Sequence, residues 1–123
     1  MPMVRVVTSV KDVPDTFEAA LTTILSQTLV GKPENRIMIE LQEGVRLVHG
    51  GKPGPVAHVV IKSIGCLGPE LNIKHTEVIT NYIHHTLNIP RDKIIIEYYD
   101  LTSTQVGFNG TTVADAEAKR AAQ

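Results

Sequence analysis

The sequence predicts an α/β (α+β) fold in which two β-α-β repeats form a four-stranded sheet with both helices on one face. Two apolar stripes at helical spacing indicate the helices, and runs of β-branched residues on either side of each stripe indicate the strands. The two halves of the chain also resemble each other, which makes the β-α-β unit an internal repeat. At 123 residues, the chain fits one compact domain.

The first repeat opens with a valine-rich strand, Met3–Thr8, followed by a turn at Val13-Pro14-Asp15. Gly31 and Pro33 end the helix that follows. Residues 36–42 then alternate apolar and other side chains, which predicts a half-buried strand, and the glycine- and proline-rich residues 43–55 predict a loop. The helix is marked by Phe17, Leu21, Ile24, Leu25 and Leu29.

The second repeat has the same order. Residues 56–61 predict a strand, residues 63–69 a turn region and residues 93–99 the last strand, with Pro90 closing the helix between them. The matching ends of the two repeats are Thr28-Leu29, Pro33 and residues 36–40 in the first, and Thr86-Leu87, Pro90 and residues 93–97 in the second. The second helix is marked by Val78, Ile79, Tyr82, Ile83 and Leu87.

The sheet face without helices predicts self-association. Its strands carry isoleucines and valines that we expect to be too apolar to leave in water on either face. Pairing with the sheets of other subunits would cover them, and a closed homo-oligomer avoids fibre formation. The residues concerned are Ile37, Ile39, Val59, Ile61, Ile94 and Ile96.

Composition excludes several classes of protein. Lys and Arg number 12 against 13 Asp and Glu, so the basic footprint of a nucleic-acid-binding protein is missing. No apolar run is long enough to span a bilayer, and the N-terminus does not resemble a signal peptide. With Cys66 as its one cysteine, the chain forms no internal disulfide, and we expect this residue to be buried or half-buried.

Pro2 is the candidate base. A methionine followed by a small residue is normally removed, which would leave Pro2 with a free secondary amine. An α-amino group has a pKa of about 7.7–8.0, and burial or a neighbouring cation favours its neutral form. Proton abstraction next to a carbonyl requires such a base. Because Met-Pro starts are common, the dipeptide by itself does not indicate catalysis.

Further residues strengthen the candidate. Gly31-Lys32-Pro33 places a lysine at a helix end, and Lys62-Ser63-Ile64-Gly65 follows a strand, where backbone N–H groups could meet an anion. Together with the PM start, VP-D-F, YYD and VG-N-T, these motifs make the sequence resemble the macrophage migration inhibitory factor family of the tautomerase superfamily. The resemblance covers residues 1–114, and MPMVRV, RLVHG and VGFNGTTVA are most similar to a divergent second type found in roundworms.

The resemblance implies a homotrimer whose sheets form a central barrel, and a tautomerase domain over residues 1–114 with a polar extension over 115–123. It implies keto–enol tautomerisation of phenylpyruvate-like keto acids or of dopachrome, with no metal or organic cofactor. Pro2 matches the general base and acid, Lys32 the carboxylate-binding lysine that keeps the proline amine neutral, and Ile64 the residue whose N–H contacts substrate. The implied apolar wall consists of Val106, Phe108 and Val113.

Three positions differ from the best-known member: Ile95 replaces a tyrosine, Glu97 an asparagine, and Arg36 a tyrosine, although the dopachrome-decarboxylating branch also has arginine there. In the family, Ile95 and Glu97 would reach the pocket from a neighbouring subunit. An ionised Glu97 cannot donate a hydrogen bond, would repel an anionic substrate and would favour the charged amine. We expect reduced activity toward aromatic keto acids, unless Glu97 points to solvent or pairs with Arg36.

The histidines, a glycosylation sequon and the C-terminal segment do not predict further functional sites. His84 and His85 point apart on a helix, and His49 lies in the glycine-rich loop, so we expect packing or solvated histidines and no metal site. Asn109-Gly110-Thr111 matches a glycosylation sequon, but without a leader we expect no glycan. The polar residues 115–123 predict a frayed or helical extension.

Two other functions are considered beside the enzyme, and the resemblance implies that the first of them does not exclude catalysis. The first is a cytokine-like protein with a vestigial pocket. The resemblance implies secretion without a leader, hence a cytoplasmic and extracellular location, and binding to the MHC class II invariant chain as receptor. The second is a ferredoxin-like regulatory domain that binds a small ligand, against which the Met-Pro start and Gly31-Lys32-Pro33 argue.

Overall fold

The computed structural model describes residues 1–123 and confirms the two-repeat architecture. Four strands form one sheet in the order β2-β1-β3-β4, and two helices cover one of its faces. Strands β1 and β2 are parallel, as are β3 and β4, while β1 and β3 are antiparallel at the centre. The elements are β1 (Met3–Thr8), α1 (Phe17–Thr28), β2 (Met38–Gln42), β3 (Ala57–Ser63), α2 (Pro69–Leu87) and β4 (Ile94–Asp100).

The internal repeat extends to the register of the strands. In the first repeat Val4 pairs with Ile39, in the second Val59 pairs with Ile96, and Val6 pairs with Val59 where the repeats meet. Each repeat also inserts a short 3₁₀ turn after its proline, Glu34–Arg36 in the first and Arg91–Lys93 in the second. Because these turns come first, the second strand of each repeat begins further along the chain. Strand β2 therefore begins two residues later than the alternation predicts.

The hydrophobic core lies between the sheet and the two helices. The apolar stripe of α1 is fully buried at Phe17, Leu21, Leu25 and Leu29, as are the central strand residues Val6, Val59 and Ile61. Burying one such side chain contributes about 1.5–3 kcal/mol, which makes this layer the main source of stability.

The sequence predicted that the isoleucines and valines of the strands would lie on a sheet face exposed to water, and this prediction is wrong. Ile39, Val59, Ile61, Ile94 and Ile96 all belong to the register that faces the helices, and Ile37 packs against the same core just before β2. Alternate residues of a strand point to opposite faces, so the residues between them form the other side. This open face carries Met3, Arg5, Val7, Met38, Glu40, Gln42, His58, Val60, Lys62, Ile95, Glu97 and Tyr99.

Helix α2 is longer than its apolar stripe predicts. It begins at Pro69, a residue suited to a first helical position because it needs no N–H partner there. Its early turns contain the fully buried His75, which bonds Thr28 Oγ1 through Nδ1 at 2.8 Å and the Cys66 carbonyl through Nε2 at 2.7 Å. This histidine therefore ties the start of α2 to the end of α1.

A hairpin and a third helix follow the sheet. Strands β5 (Gly107–Phe108) and β6 (Thr111–Thr112) are joined by Asn109 and Gly110, both with positive φ, as a two-residue hairpin turn requires. Helix α3 (Val113–Ala121) contains most of the polar extension, which is helical rather than frayed. None of the three helices combines the length and apolar composition needed to cross a membrane.

Candidate active site

Pro2 lies at the start of the central strand β1. It is buried, and its carbonyl accepts a hydrogen bond from the Met38 N–H at 3.0 Å, which holds the chain start against β2. Met1 precedes it and lines a cavity of about 220 Å³. Pro2 is therefore held by the sheet, and Met1 beside it borders a partly open cavity.

Lys32 stands beside the chain start. It follows the end of α1, and its Nζ donates to the Ile64 carbonyl at 2.7 Å, which links the first repeat to the turn after β3. The pKa of the Met1 α-amine is held below its ordinary value of 8.0, first by burial, then by the Lys32 ammonium and more weakly by Arg36. An amine in this position is therefore more readily neutral near physiological pH.

The turn at Ile64 is fixed by hydrogen bonds on both sides. Ser63 Oγ donates to the Gly65 carbonyl at 3.0 Å, and the Gly65 N–H donates to Asp100 Oδ1 at 3.3 Å. The half-buried Cys66 donates from Sγ to the Val30 carbonyl at 3.1 Å. The turn and loop hydrogen bonds do not use the Ile64 N–H, and Ile64 is not among the residues that line the cavity.

The hairpin and α3 form the wall of the cavity. The Arg36 guanidinium carbon lies 5.3 Å from the centroid of the half-exposed Phe108 ring, a cation–π arrangement. Val106 is buried behind this wall, where its carbonyl accepts from the Val113 N–H at 2.9 Å. The lining residues are Met1, Arg36, Phe108, Asn109, Thr111, Val113, Ala116 and Arg120.

Glu97 and Ile95 lie elsewhere on the same chain. Both are on the open face and neither lines the cavity. The Glu97 carboxylate bonds the His58 imidazole and accepts from Tyr99 Oη at 2.9 Å, and these bonds, led by that of His58, lower the pKa of the Glu97 carboxyl. Arg36 stacks on Phe108, so the Arg36–Glu97 pair that would offset the charge of Glu97 does not form within one chain.

Sequence reasoning missed His58, Ala116 and Arg120. In the register of β3 and β4, His58 pairs with Ile95, two residues before Glu97 on the same strand. Aligning the two repeats would therefore have predicted that His58 and Glu97 lie close together. For Ala116 and Arg120, the signal was their i, i+4 spacing in a polar segment, which places them on one helix face.

Comparison with known proteins identifies the family. The model of the macrophage migration inhibitory factor family matches residues 1–114. The chain belongs to this family. It is 47% identical over 121 residues to the MIF-like protein mif-2 of Caenorhabditis elegans, an alignment that covers 97% of this chain and all of that protein.

A second relative is D-dopachrome decarboxylase-B of Xenopus laevis, 31% identical over 92% of this chain and 98% of that protein. The solved structure of macrophage migration inhibitory factor from Oncomelania hupensis superposes with a TM-score of 0.86 at 27% identity, covering 89% of this chain and 95% of that one. The family match ends at residue 114, so most of α3 lies beyond it, whereas the alignment with mif-2 takes in nearly the whole chain.

Proposed function

We propose that this family member is a keto–enol tautomerase of small aromatic keto acids, with the Pro2 amine as general base and acid. The observation that carries the proposal is the setting of the chain start. Its α-amine is partly buried, lies beside Lys32 and borders a cavity walled by Phe108 and Val113. Burial and a neighbouring cation are the two influences that keep an amine neutral and able to accept a proton.

Removal of Met1 would complete the site. While Met1 is present, the Pro2 nitrogen is a tertiary amide and cannot accept a proton. Once Met1 is gone, the Pro2 nitrogen becomes the terminal amine, in a residue that is buried where Met1 is half-buried, and the volume of the methionine side chain is added to the cavity. The neutral amine then takes a proton from the carbon next to the keto group, and the resulting ammonium returns a proton to the enolate oxygen.

Lys32 and the Ile64 N–H would orient the acid group. A lysine ammonium is a compact cation suited to a carboxylate, and the free N–H of Ile64 can donate to a substrate oxygen. Arg36 adds a second cation at the Phe108 ring. The apolar parts of Phe108, Val113 and the buried Val106 would hold the aromatic ring of the substrate.

The proposal includes a homotrimer with the four-stranded sheets inside. The open face joins ion pairs such as Arg5–Glu40, at 2.9 Å, to apolar side chains such as Met38 and Val60. A mixed surface of this kind suits an interface between subunits that are also stable in water. In the trimer, Ile95 and Glu97 of one chain would complete the pocket of its neighbour.

The relative named for D-dopachrome decarboxylation suggests dopachrome as a second substrate class. Its reaction would use the same cationic pocket, in which Arg36 faces a substrate carboxylate. The proposal also includes a signalling role that does not require turnover. In this role the protein would be both cytoplasmic and extracellular and would bind the MHC class II invariant chain.

The test is phenylpyruvate tautomerisation by the wild-type protein and by Pro2→Gly, after intact-mass measurement shows that Met1 has been removed. We expect Pro2→Gly to lower kcat/KM by roughly 100-fold or more, the usual contribution of a general base. Pro53→Gly, a proline change in the exposed loop, is the matched control and should retain activity. Equal background rates in wild type and Pro2→Gly would leave only the receptor-binding role.

A further inference from the structure

Helix α3 contributes two residues to the candidate pocket from a segment that lies beyond the family match. Ala116 and Arg120 are one turn apart on the same helix face, and both line the cavity with Met1, Arg36 and Phe108. The small Ala116 leaves space, while Arg120 brings a guanidinium. The pocket of this chain therefore has a second arginine that the family domain does not supply.

The position of α3 is fixed by its first turn. Thr112 caps the helix by accepting from the Asp115 N–H at 3.0 Å, and Thr111 Oγ1 donates to Asp115 Oδ2 at 2.6 Å. Both threonines belong to β6, the strand that pairs with Phe108. The helix that carries Arg120 is therefore anchored to the same hairpin that forms the cavity wall.

The charges on α3 are distributed unevenly. Asp115 forms an ion pair with Lys119 at 2.9 Å, one turn along the helix, while Glu117 lies exposed away from the cavity. Arg120 and Arg36 form no ion pair within the chain, and no carboxylate lines the cavity. Two guanidiniums that form no ion pair within the chain thus border one small cavity, whose wall combines apolar side chains such as Phe108 and Val113 with the polar Asn109 and Thr111.

On this basis, which rests on the proposed function, we propose that Arg120 determines specificity for keto acids with a second carboxylate at the end remote from the keto-acid group. A single carboxylate is already matched by Lys32 near the chain start. A guanidinium forms paired hydrogen bonds with a carboxylate, so Arg120, which lines the cavity from α3, suits a further anionic group. With Met1 in place the cavity measures about 220 Å³, below the roughly 300–1,000 Å³ of typical drug-sized sites, and removal of Met1 would enlarge it.

The first experiment compares phenylpyruvate with 4-carboxyphenylpyruvate as substrates of wild type, Arg120→Gln and Lys119→Gln. In Arg120→Gln, the KM for the carboxylated substrate divided by that for phenylpyruvate should rise about tenfold, the size expected when a hydrogen bond between charged groups is lost. Lys119→Gln removes a neighbouring positive charge that does not line the cavity, so it should leave the ratio near the wild-type value. An unchanged ratio in Arg120→Gln, or an equal rise in both variants, would overturn the proposal.

A second experiment separates this inference from the proposed enzyme activity. Calorimetric titration with 4-carboxyphenylacetate and with phenylacetate measures binding without turnover. Wild type should bind the dicarboxylate more tightly, and Arg120→Gln should lose most of that preference while its circular dichroism shows intact folding. Preference without tautomerisation would refute the enzyme and uphold the role of Arg120. Tautomerisation without preference would do the reverse.

Discussion

Lys32 connects the two halves of the candidate site. Its Nζ bonds the Ile64 carbonyl at 2.7 Å, and it contributes to lowering the pKa of the chain-start amine. The sequence identified Lys32 through the Gly31-Lys32-Pro33 motif and its position at a helix end. Its partner could not be predicted from periodicity, because the contact joins a loop of the first repeat to a turn of the second.

The prediction at the residue scale concerns the effect of the Glu97 charge on catalysis. His58 and Tyr99 stabilise its ionised form, so the carboxylate is charged at neutral pH and, in a trimer, would repel an anionic substrate in the neighbouring pocket. Glu97→Asn should raise kcat/KM for phenylpyruvate roughly two- to fivefold, the effect of removing a screened like charge. Steady-state assays at neutral pH measure it.

The matched control is Glu77→Asn, which removes a negative charge from the exposed side of α2. This change should leave kcat/KM near the wild-type value. If turnover in Glu97→Asn is unchanged or lower, repulsion by Glu97 is not what limits the enzyme.

At the scale of elements, the β5–β6 hairpin decides where Phe108 and α3 lie. Gly110 has a φ of +86°, and no atom lies within 4 Å of the place that an alanine methyl group would occupy, so a side chain there is strained by backbone conformation alone. Gly110→Ala should destabilise the protein by about 1–2 kcal/mol, the cost of the left-handed conformation for an L-residue. Thermal unfolding and the KM for phenylpyruvate test this prediction.

Gly54→Ala is the control for the hairpin. Gly54 also has open space around it but does not have a positive φ, so alanine should be tolerated. A Gly110→Ala variant as stable as Gly54→Ala would show that the turn does not depend on glycine.

The sequence predicted the long elements better than the short ones. The stripe of α1 and the strands of both repeats were confirmed, since they bury many apolar residues at regular spacing. The first turns of α2 were missed because their apolar residues do not mark the buried face of the helix. Leu71 and Ile73 are exposed, whereas the buried residue there is the polar His75. Strands β5 and β6, at two residues each, are too short for any periodicity.

At the scale of the whole molecule, the open face is the surface on which the proposed trimer depends. Val60 is half-buried near its centre, among Met3, Met38 and Lys62. A charge there would be left unpaired inside an interface, which costs several kcal/mol. Val60→Asp should therefore shift the protein from trimer to monomer in size-exclusion chromatography with light scattering.

Val78→Asp places the same charge on the exposed surface of α2 and should leave the trimer intact. A Val60→Asp protein that remains trimeric would place the subunit interface elsewhere. The prediction of an oligomer came from the apolar strand residues, but these face the helices. Consecutive isoleucines such as Ile94, Ile95 and Ile96 hide the alternation that would have distinguished the two faces.

The central claim is that the Pro2 amine is a base made neutral by its surroundings, and the pH dependence of kcat/KM tests it directly. Activity should fall as the pH drops through the pKa of the amine in the free enzyme, because protonation removes the base. We predict this acidic limb at a pH below the ordinary pKa of a prolyl amine, because the burial and the Lys32 ammonium that lower the pKa of the Met1 amine lie next to Pro2. In Lys32→Ala the limb should move to higher pH, since a cation that favours the neutral amine is lost, while Lys74→Ala on the exposed side of α2 should leave it in place. A limb at the pH of an unperturbed prolyl amine, or one that Lys32→Ala does not move, would contradict the account.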